Sequence, residues 1–289
     1  MGKSDHIKIK KGTSKGPLFF SEFGQKSTAL LTKGYYRGQI FSFTSHIDGG
    51  LDLTSTIASN GRHATAGVVG AYAFKNATFR VGVDKDSKIS ANFTLSEKFL
   101  SGTKTTASLS FPDYKSSKLK LQCLREYAAL AISIPMNQHP AIKFSAAVGT
   151  SSIALGMEAE YQTASRCFSK CSAGINMKGL NYNASIILAN KGNLLSASYV
   201  HYLDPEKRNA AVVQFTQELS TKRNTLTVGG SCAVDRHTVV KARLDDCGKF
   251  RTLLEYNFRP KSCLTISGEF NTKAVDRSPK IGLELALVL

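Results

Sequence analysis

The chain has no tryptophan and few acids: 21 Asp and Glu stand against 38 Lys and Arg, leaving a formal charge of +17. That balance calls for an anionic partner or surroundings, whether nucleic acid, anionic lipid or anionic solutes, and composition does not choose among them. Long hydrophobic runs are missing too. The longest apolar stretch, Ala128 to Ile134, is interrupted by Ser133 and stopped by Pro135, far short of the roughly 18–20 residues of a membrane-crossing helix. The start, MGKSDHIKIKKGTSKG, is basic without the apolar core of a secretory signal, and His6 stands where a myristoylation motif wants Ser or Thr.

Metal and catalytic patterns are equally scarce. Cys123, Cys167, Cys171, Cys232, Cys247 and Cys263 form no C-x-x-C pair, and no His/Cys partner follows Cys167 and Cys171 at zinc spacing. Free thiols are expected, with no metal site. His6, His46, His63, His139, His201 and His237 fall in turns or at strand ends, so no catalytic set is suggested and no cofactor is implied. Gly229-Gly230 sits inside a strand pattern rather than in a phosphate loop. An enzyme is not expected.

What is present is alternation. Ala77, Phe79, Val81 and Val83 share one face; Thr78, Arg80, Gly82 and Asp84 share the other. After Lys85-Asp86-Ser87, the residues Ile89, Ala91, Phe93 and Leu95 alternate with Lys88, Ser90, Asn92 and Thr94. Strand side chains point to opposite faces with period 2, so this is a hairpin with one apolar and one polar face. The unit recurs to the C-terminus with short polar turns such as Gly49-Gly50 and Asn60-Gly61, giving about nineteen strands in one domain. One helix is expected, over residues 16–31, where Phe19, Phe20, Phe23, Ser27, Leu30 and Leu31 make a stripe. The expected organisation is a flexible basic tail over 1–14, a helix and hinge over 15–37, and a barrel over 38–289.

So many amphipathic strands must hide their edges and cover one face. A soluble sandwich packs two sheets together; a membrane barrel turns the apolar face to lipid. Strands of about 9–11 residues suit a tilted bilayer crossing. The apolar parity is almost free of charge, and Phe111, Tyr161, Tyr199, Phe215, Phe258 and Phe270 stand near strand ends like an interfacial girdle. Aromatics and cations fall on opposite parities, which argues against a nucleic-acid surface.

The segment KGPLFFSEFGQKSTALLTKGYYRG (15–38), with Glu22, Gly24 and Lys33-Gly34-Tyr35, resembles the start of the mitochondrial voltage-dependent anion channels. LNYNASIILANKGNLLSASY (180–199), AVDRHTVVKARLDDCG (233–248), FRPKSCLTISGEF (258–270) and AVDRSPKIGLELALVL (274–289) resemble the plant branch of that family. The resemblance implies an all-β membrane protein: a nineteen-stranded transmembrane barrel with an N-terminal helix in its lumen. It implies passive, voltage-gated and weakly anion-selective diffusion of metabolites such as ATP and ADP, and of small ions, across the mitochondrial outer membrane. Implied partners are membrane lipid, nucleotides and other anionic metabolites in transit, a second copy of the chain, cytosolic kinases and other outer-membrane proteins. An outer-membrane barrel of the protein-translocase type stays open as the alternative. Thr28 and Ala29 replace an Arg-Asp pair usual in the family helix, Gln25 replaces a lysine, and Glu284 interrupts a usually neutral last strand.

The lumen parity carries Arg80, Lys88, Lys104, Lys118, Lys120, Lys143, Lys241 and Arg243 against Asp84, Glu158, Glu160, Glu255, Glu269 and Glu284. A cationic excess on a pore wall favours anions, mildly, because a wide wet pore is screened within about 8–10 Å. Lys33 joins the pore-lining set through the resemblance, facing nucleotide phosphates. Phe19, Glu22, Phe23, Lys26, Leu30 and Leu31 mark the helix, read either as a gate or as a fixed narrowing element. Its apolar stripe should lie on the wall near Ala128 to Ile134, which is apolar on both parities. Gly34 and Gly38 are the expected hinge.

Overall fold

The computed structural model describes residues 16–47, 49–61, 63–97, 102–259, 261–273 and 279–289. The basic tail expected over 1–14 lies outside them. Nineteen strands form one sheet: β1 Gly38–Ile47, β2 Leu51–Ser59, β3 Ala64–Phe74, β4 Ala77–Asp84, β5 Ile89–Glu97, β6 Thr103–Phe111, β7 Lys118–Leu124, β8 Ala128–Pro135, β9 Ala141–Gly149, β10 Ile153–Gln162, β11 Cys167–Lys178, β12 Tyr182–Ala189, β13 Leu194–Tyr202, β14 Ala210–Glu218, β15 Arg223–Ala233, β16 Thr238–Asp245, β17 Lys249–Arg259, β18 Ser262–Asn271 and β19 Lys280–Val288. Each pairs antiparallel with the next. β1 then pairs parallel with β19, from Gly38 opposite Gly282 to Thr44 opposite Val288, and closes the barrel. Successive strands reverse direction, so in an odd-numbered ring the first and last run the same way. The parallel seam follows from the count.

Closure removes sheet edges, leaving no unpaired row of backbone groups in lipid. The register keeps like parities together. Val81 stands opposite Ala91, which stands opposite Leu109; Leu155 stands opposite Ile175, which stands opposite Ile186. All of these point outward, where Leu155 is 57% and Ile186 55% exposed. A soluble sandwich would bury such side chains between sheets; here they face away from the molecule as a lipid belt. With no tryptophan, tyrosine and phenylalanine build the girdle. Phe111 packs on Tyr114 and Tyr161 on Phe168 at one rim; Tyr182 stacks on Tyr199 at the other.

The small core lies inside the barrel, between the N-terminal segment and the wall. That segment departs from the single helix expected over 16–31. A 3₁₀ turn at Phe20–Glu22 is followed by extended Phe23, left-handed Gly24 (φ 67°), and an eight-residue helix, α1, at Gln25–Thr32. The break falls at a glycine, whose left-handed backbone suits that residue. Gly24 lies against the wall so closely that a Cβ there would meet Ser185 Oγ at 3.0 Å. Ahead of the break Phe20 and Phe23, with ring centroids 5.2 Å apart and planes tilted by 52°, pack on the wall.

Candidate functional site: the lumen wall and its lining segment

The N-terminal segment is held in three places. Phe20 and Phe23 sit on a shelf of small residues, Ala129, Ala147 and Ala154 from β8, β9 and β10, with Phe19 and Leu18 beside them. Gly156 completes the shelf; a Cβ there would meet Phe20 at 2.8 Å. The apolar stretch at 128–134 therefore takes only the Phe20 and Phe23 part of the segment; the rest of the expected stripe, Leu30 and Leu31 on α1, lies against β13 and β14 instead, because the break at Gly24 separates the two parts. In the middle, fully buried Ser27 donates to Ser198 Oγ at 2.9 Å, and Ser198 shares a hydrogen with Ser185 at 2.8 Å. At the far end Leu31, with Leu30 alongside, packs on Val200, Tyr202, Ala210 and Val212 of β13 and β14. Glu22 accepts the Phe19 N–H at 3.2 Å, which steadies the 3₁₀ turn.

Arg243 on β16 caps α1. Its Nη1 donates to the Leu31 carbonyl at 2.7 Å, and Nη2 reaches Asp245 at 3.3 Å. A helix C-terminus carries unsatisfied carbonyls and a partial negative charge, so a guanidinium fits there. The guanidinium also lies 5.9 Å from the centre of the Tyr35 ring. Burial pushes the Tyr35 phenol up to about 12, with Arg243 and Arg251 pulling the other way, so it stays neutral at physiological pH. Arg243→Gln should loosen the C-terminal end of α1 by about 1–3 kcal/mol. In a protein whose only cysteine is placed at position 30, maleimide labelling should then speed up several-fold; an unchanged rate would mean that the cap does not hold the helix.

The expected hinge is fastened at several points. Gly34 (φ 91°) and Gly38 (φ 84°) take left-handed backbone that favours glycine. A Cβ at Gly34 would meet Leu253 at 2.6 Å, and one at Gly38 would overlap the Ser59 carbonyl. Ser267 donates to the Tyr36 carbonyl at 2.7 Å. Arg37 grips Glu269 with two nitrogens, at 2.8 Å and 3.2 Å. Arg251 Nε also lies 2.7 Å from Glu269, as an ionic approach outside hydrogen-bond alignment.

The cations of the lumen parity divide into two kinds. Lys241 meets Glu255 at 3.5 Å, Lys143 meets Glu160 at 3.4 Å, and Arg243 is spent on α1 and Asp245. These three were expected as pore cations, and each carries a local partner. Lys88 lies in the β4–β5 turn, where its carbonyl accepts from Asp84, and so belongs to the rim. Lys33 caps α1 and is exposed in the lumen. Arg80 and Lys104 are exposed on the lumen side of β4 and β6 and take part in none of the ion pairs among the described residues. Sequence reasoning missed the Arg37–Glu269–Arg251 cluster and the serine triad. The signal for the triad was Ser27, a lone small polar residue within the apolar stripe. Among the described residues no group of His, Cys, Asp or Glu is placed to hold a metal ion.

A closed barrel with an uncharged outer belt, a polar and cationic interior and a wall-bound N-terminal segment defines a membrane-spanning β-barrel pore. The family model described as eukaryotic porin matches residues 16–282, and the chain belongs to that family. It is 42% identical over 94% of its length to a rice protein, mitochondrial outer membrane protein porin 5, of which 98% is covered. It is 41% identical over 95% of its length to mitochondrial outer membrane protein porin 2 of Arabidopsis thaliana, 99% covered. An outer plastidial membrane protein porin of pea is 35% identical over 94% of this chain, with 99% of that protein covered.

Proposed function

We propose that this chain is a voltage-gated, weakly anion-selective channel through which metabolites such as ATP and ADP, and small ions, diffuse passively across the mitochondrial outer membrane. The observation that carries the reading is the sorting of charge: the lipid face is apolar and the lumen face holds a cationic excess. The rice and Arabidopsis relatives support the mitochondrial location; the pea relative makes a plastid envelope the location to test against, by organelle fractionation. Refolded protein in a planar bilayer under a salt gradient tests the rest. Unitary steps, a reversal potential on the anion side and closure at high voltage of either sign are the expected record. Folded, inserted protein that gives no steps would sink the proposal.

α1 is the moving part in this reading. Lys26 sits at the second position of α1, against the positive end of the helix dipole. Its ammonium is held below the usual lysine value by burial first, then by Lys178 and Lys207. A lysine pKa lowered in the docked state means that docking is opposed while the ammonium is charged and is eased as rising pH removes the proton. As pH rises toward the ordinary lysine value, the voltage needed for closure should therefore climb in the wild type and stay flat in Lys26→Gln. A parallel climb in both proteins would discard Lys26 as the sensor.

A further inference from the structure

The outer face of the barrel has a step where the wall closes. β19 begins at Lys280, but its first partner on β1 is Gly38, opposite Gly282. Ahead of Gly38 the chain leaves the wall for the lumen, where Arg37 grips Glu269 and the Tyr36 carbonyl accepts from Ser267. Ile281 therefore has Gly268 of β18 on one side and no β1 partner on the other, and it is 67% exposed.

A recess of about 480 Å³ occupies the step, lined by Gly38, Gln39, Ser59, Gly61, Ile281 and Leu283. That is the size of a small-molecule pocket, about 300–1,000 Å³. Its four side chains lie on the outward parity. Gln39 stands opposite both Ser59 and Leu283, and Phe41, two residues further along β1, is 43% exposed. The recess therefore opens toward lipid, at the rim. Inward hydroxyls on β1 and β2 satisfy each other: Ser42 lies 3.5 Å from Thr56, and Thr44 lies 3.0 Å from Thr54. The outward pair, Gln39 and Ser59, takes part in no side-chain hydrogen bond among the described residues. Polar groups at a lipid boundary need partners. Opposed side chains have Cβ atoms about 4.5–5.5 Å apart, so one ligand group can meet both. Toward the middle of the membrane the same strands turn Phe41 and Ile57 outward.

We propose that this step is a binding site for one glycerophospholipid of the surrounding bilayer. Its phosphate and ester oxygens are acceptors, which suit the Gln39 amide N–H and the Ser59 hydroxyl. Its acyl chain covers Phe41 and Ile57. A sterol brings one hydroxyl on a rigid body and leaves one of the two polar groups unmet. A parallel ladder is slightly weaker per residue than an antiparallel one, so a lipid seated here covers the end of the weakest seam in the wall. The site lies outside the pore and does not depend on what passes through it.

The test uses the absence of tryptophan, since a single indole then reports its own surroundings. Phe41→Trp places one beside the recess, and Phe144→Trp places one on β9. Each is the fourth residue of its strand counted from the same rim, and the two phenylalanines are 43% and 44% exposed. Protein folded in detergent micelles, with folding checked by heat-modified gel mobility, receives phosphatidylcholine brominated on its acyl chains. Quenching at position 41 should set in at roughly tenfold less lipid than at position 144, the worth of two added hydrogen bonds. Gln39→Leu/Ser59→Ala in the Phe41→Trp protein should erase that advantage. Gln217 and Asn224 form another outward polar pair at that rim, on β14 and β15. Gln217→Leu/Asn224→Ala should therefore leave the onset at position 41 within about twofold. Unbrominated phosphatidylcholine should restore the fluorescence at position 41. Equal onset at positions 41 and 144 would reduce the site to ordinary lipid contact and overturn it. So would an onset that ignores Gln39→Leu/Ser59→Ala, or cholesterol restoring the fluorescence as well as phosphatidylcholine does. None of these readouts involves conduction, so the channel reading and the lipid site can fail separately.

Discussion

Oxidised Ser27→Cys/Ser198→Cys protein should conduct at every voltage and never close. The two hydroxyl oxygens are 2.9 Å apart, and Ser27 is fully buried. Cysteines at these positions should bond with little backbone shift, since a disulfide needs sulfurs about 2.05 Å apart on nearby Cα atoms. The magnitudes say why this lock should matter. Burial of one Leu31-sized side chain is worth about 1.5–3 kcal/mol. A membrane potential acts on each charge that crosses it with about 2.3 kcal/mol per 100 mV. α1 carries Lys26 and its cap Lys33, so an ordinary gating voltage is of the right size to lift a docked helix. It is far too small to break a covalent bond. Reduction with dithiothreitol should bring closure back in the same membrane. Closure that persists in the oxidised protein would move the gate from α1 to the barrel wall.

Arginine in place of Ile186 should cost about 2–4 kcal/mol of folding into lipid, the penalty for a cation near the bilayer midplane. Ile186 lies near the middle of β12, points outward and is 55% exposed. Stabilities of ordinary domains are about 5–15 kcal/mol, so this one change should visibly lower the folded fraction. Thr56→Arg is the matched control. Thr56 faces the lumen, within reach of the Ser42 hydroxyl at 3.5 Å, and a cation there enters water. Its cost should stay within about 1 kcal/mol. Urea titration of protein refolded into vesicles, read by heat-modified gel mobility, measures both. Equal losses would mean that inside and outside have been assigned the wrong way round.

Much of this was legible before any coordinates. The alternation at Ala77 to Leu95 gave both strands and both faces. The two-sided apolarity of Ala128 to Ile134 marked the patch that takes Phe20 and Phe23, but not the β13–β14 patch that takes Leu30 and Leu31. The break at Gly24 was not legible, because the stripe from Phe19 to Leu31 fits one continuous helix and the left-handed backbone at Gly24 shows only in the structure. Lys88 followed the right parity but fell in a turn, since period-2 counting does not show where pairing stops. The fates of Lys143 and Lys241 needed register. Their partners, Glu160 and Glu255, stand directly across from Lys143 and diagonally across from Lys241 on neighbouring strands. The Arg243 cap links residues 212 positions apart and had no local signal.

The sequence by itself determined which face of each strand meets lipid and that there are about nineteen strands; the odd number itself, and with it the parallel seam, came with closure of the barrel. The first two are local or counting properties: each strand's parity is written in its own residues, and strand direction alternates at every turn. The tertiary structure alone decided which cations remain free, where the N-terminal segment breaks and what fastens it. Those depend on carboxylates, carbonyls and small residues that barrel closure brings from distant parts of the chain. An ion pair or a cap forms over a few ångströms of space, which separation along the chain does not measure.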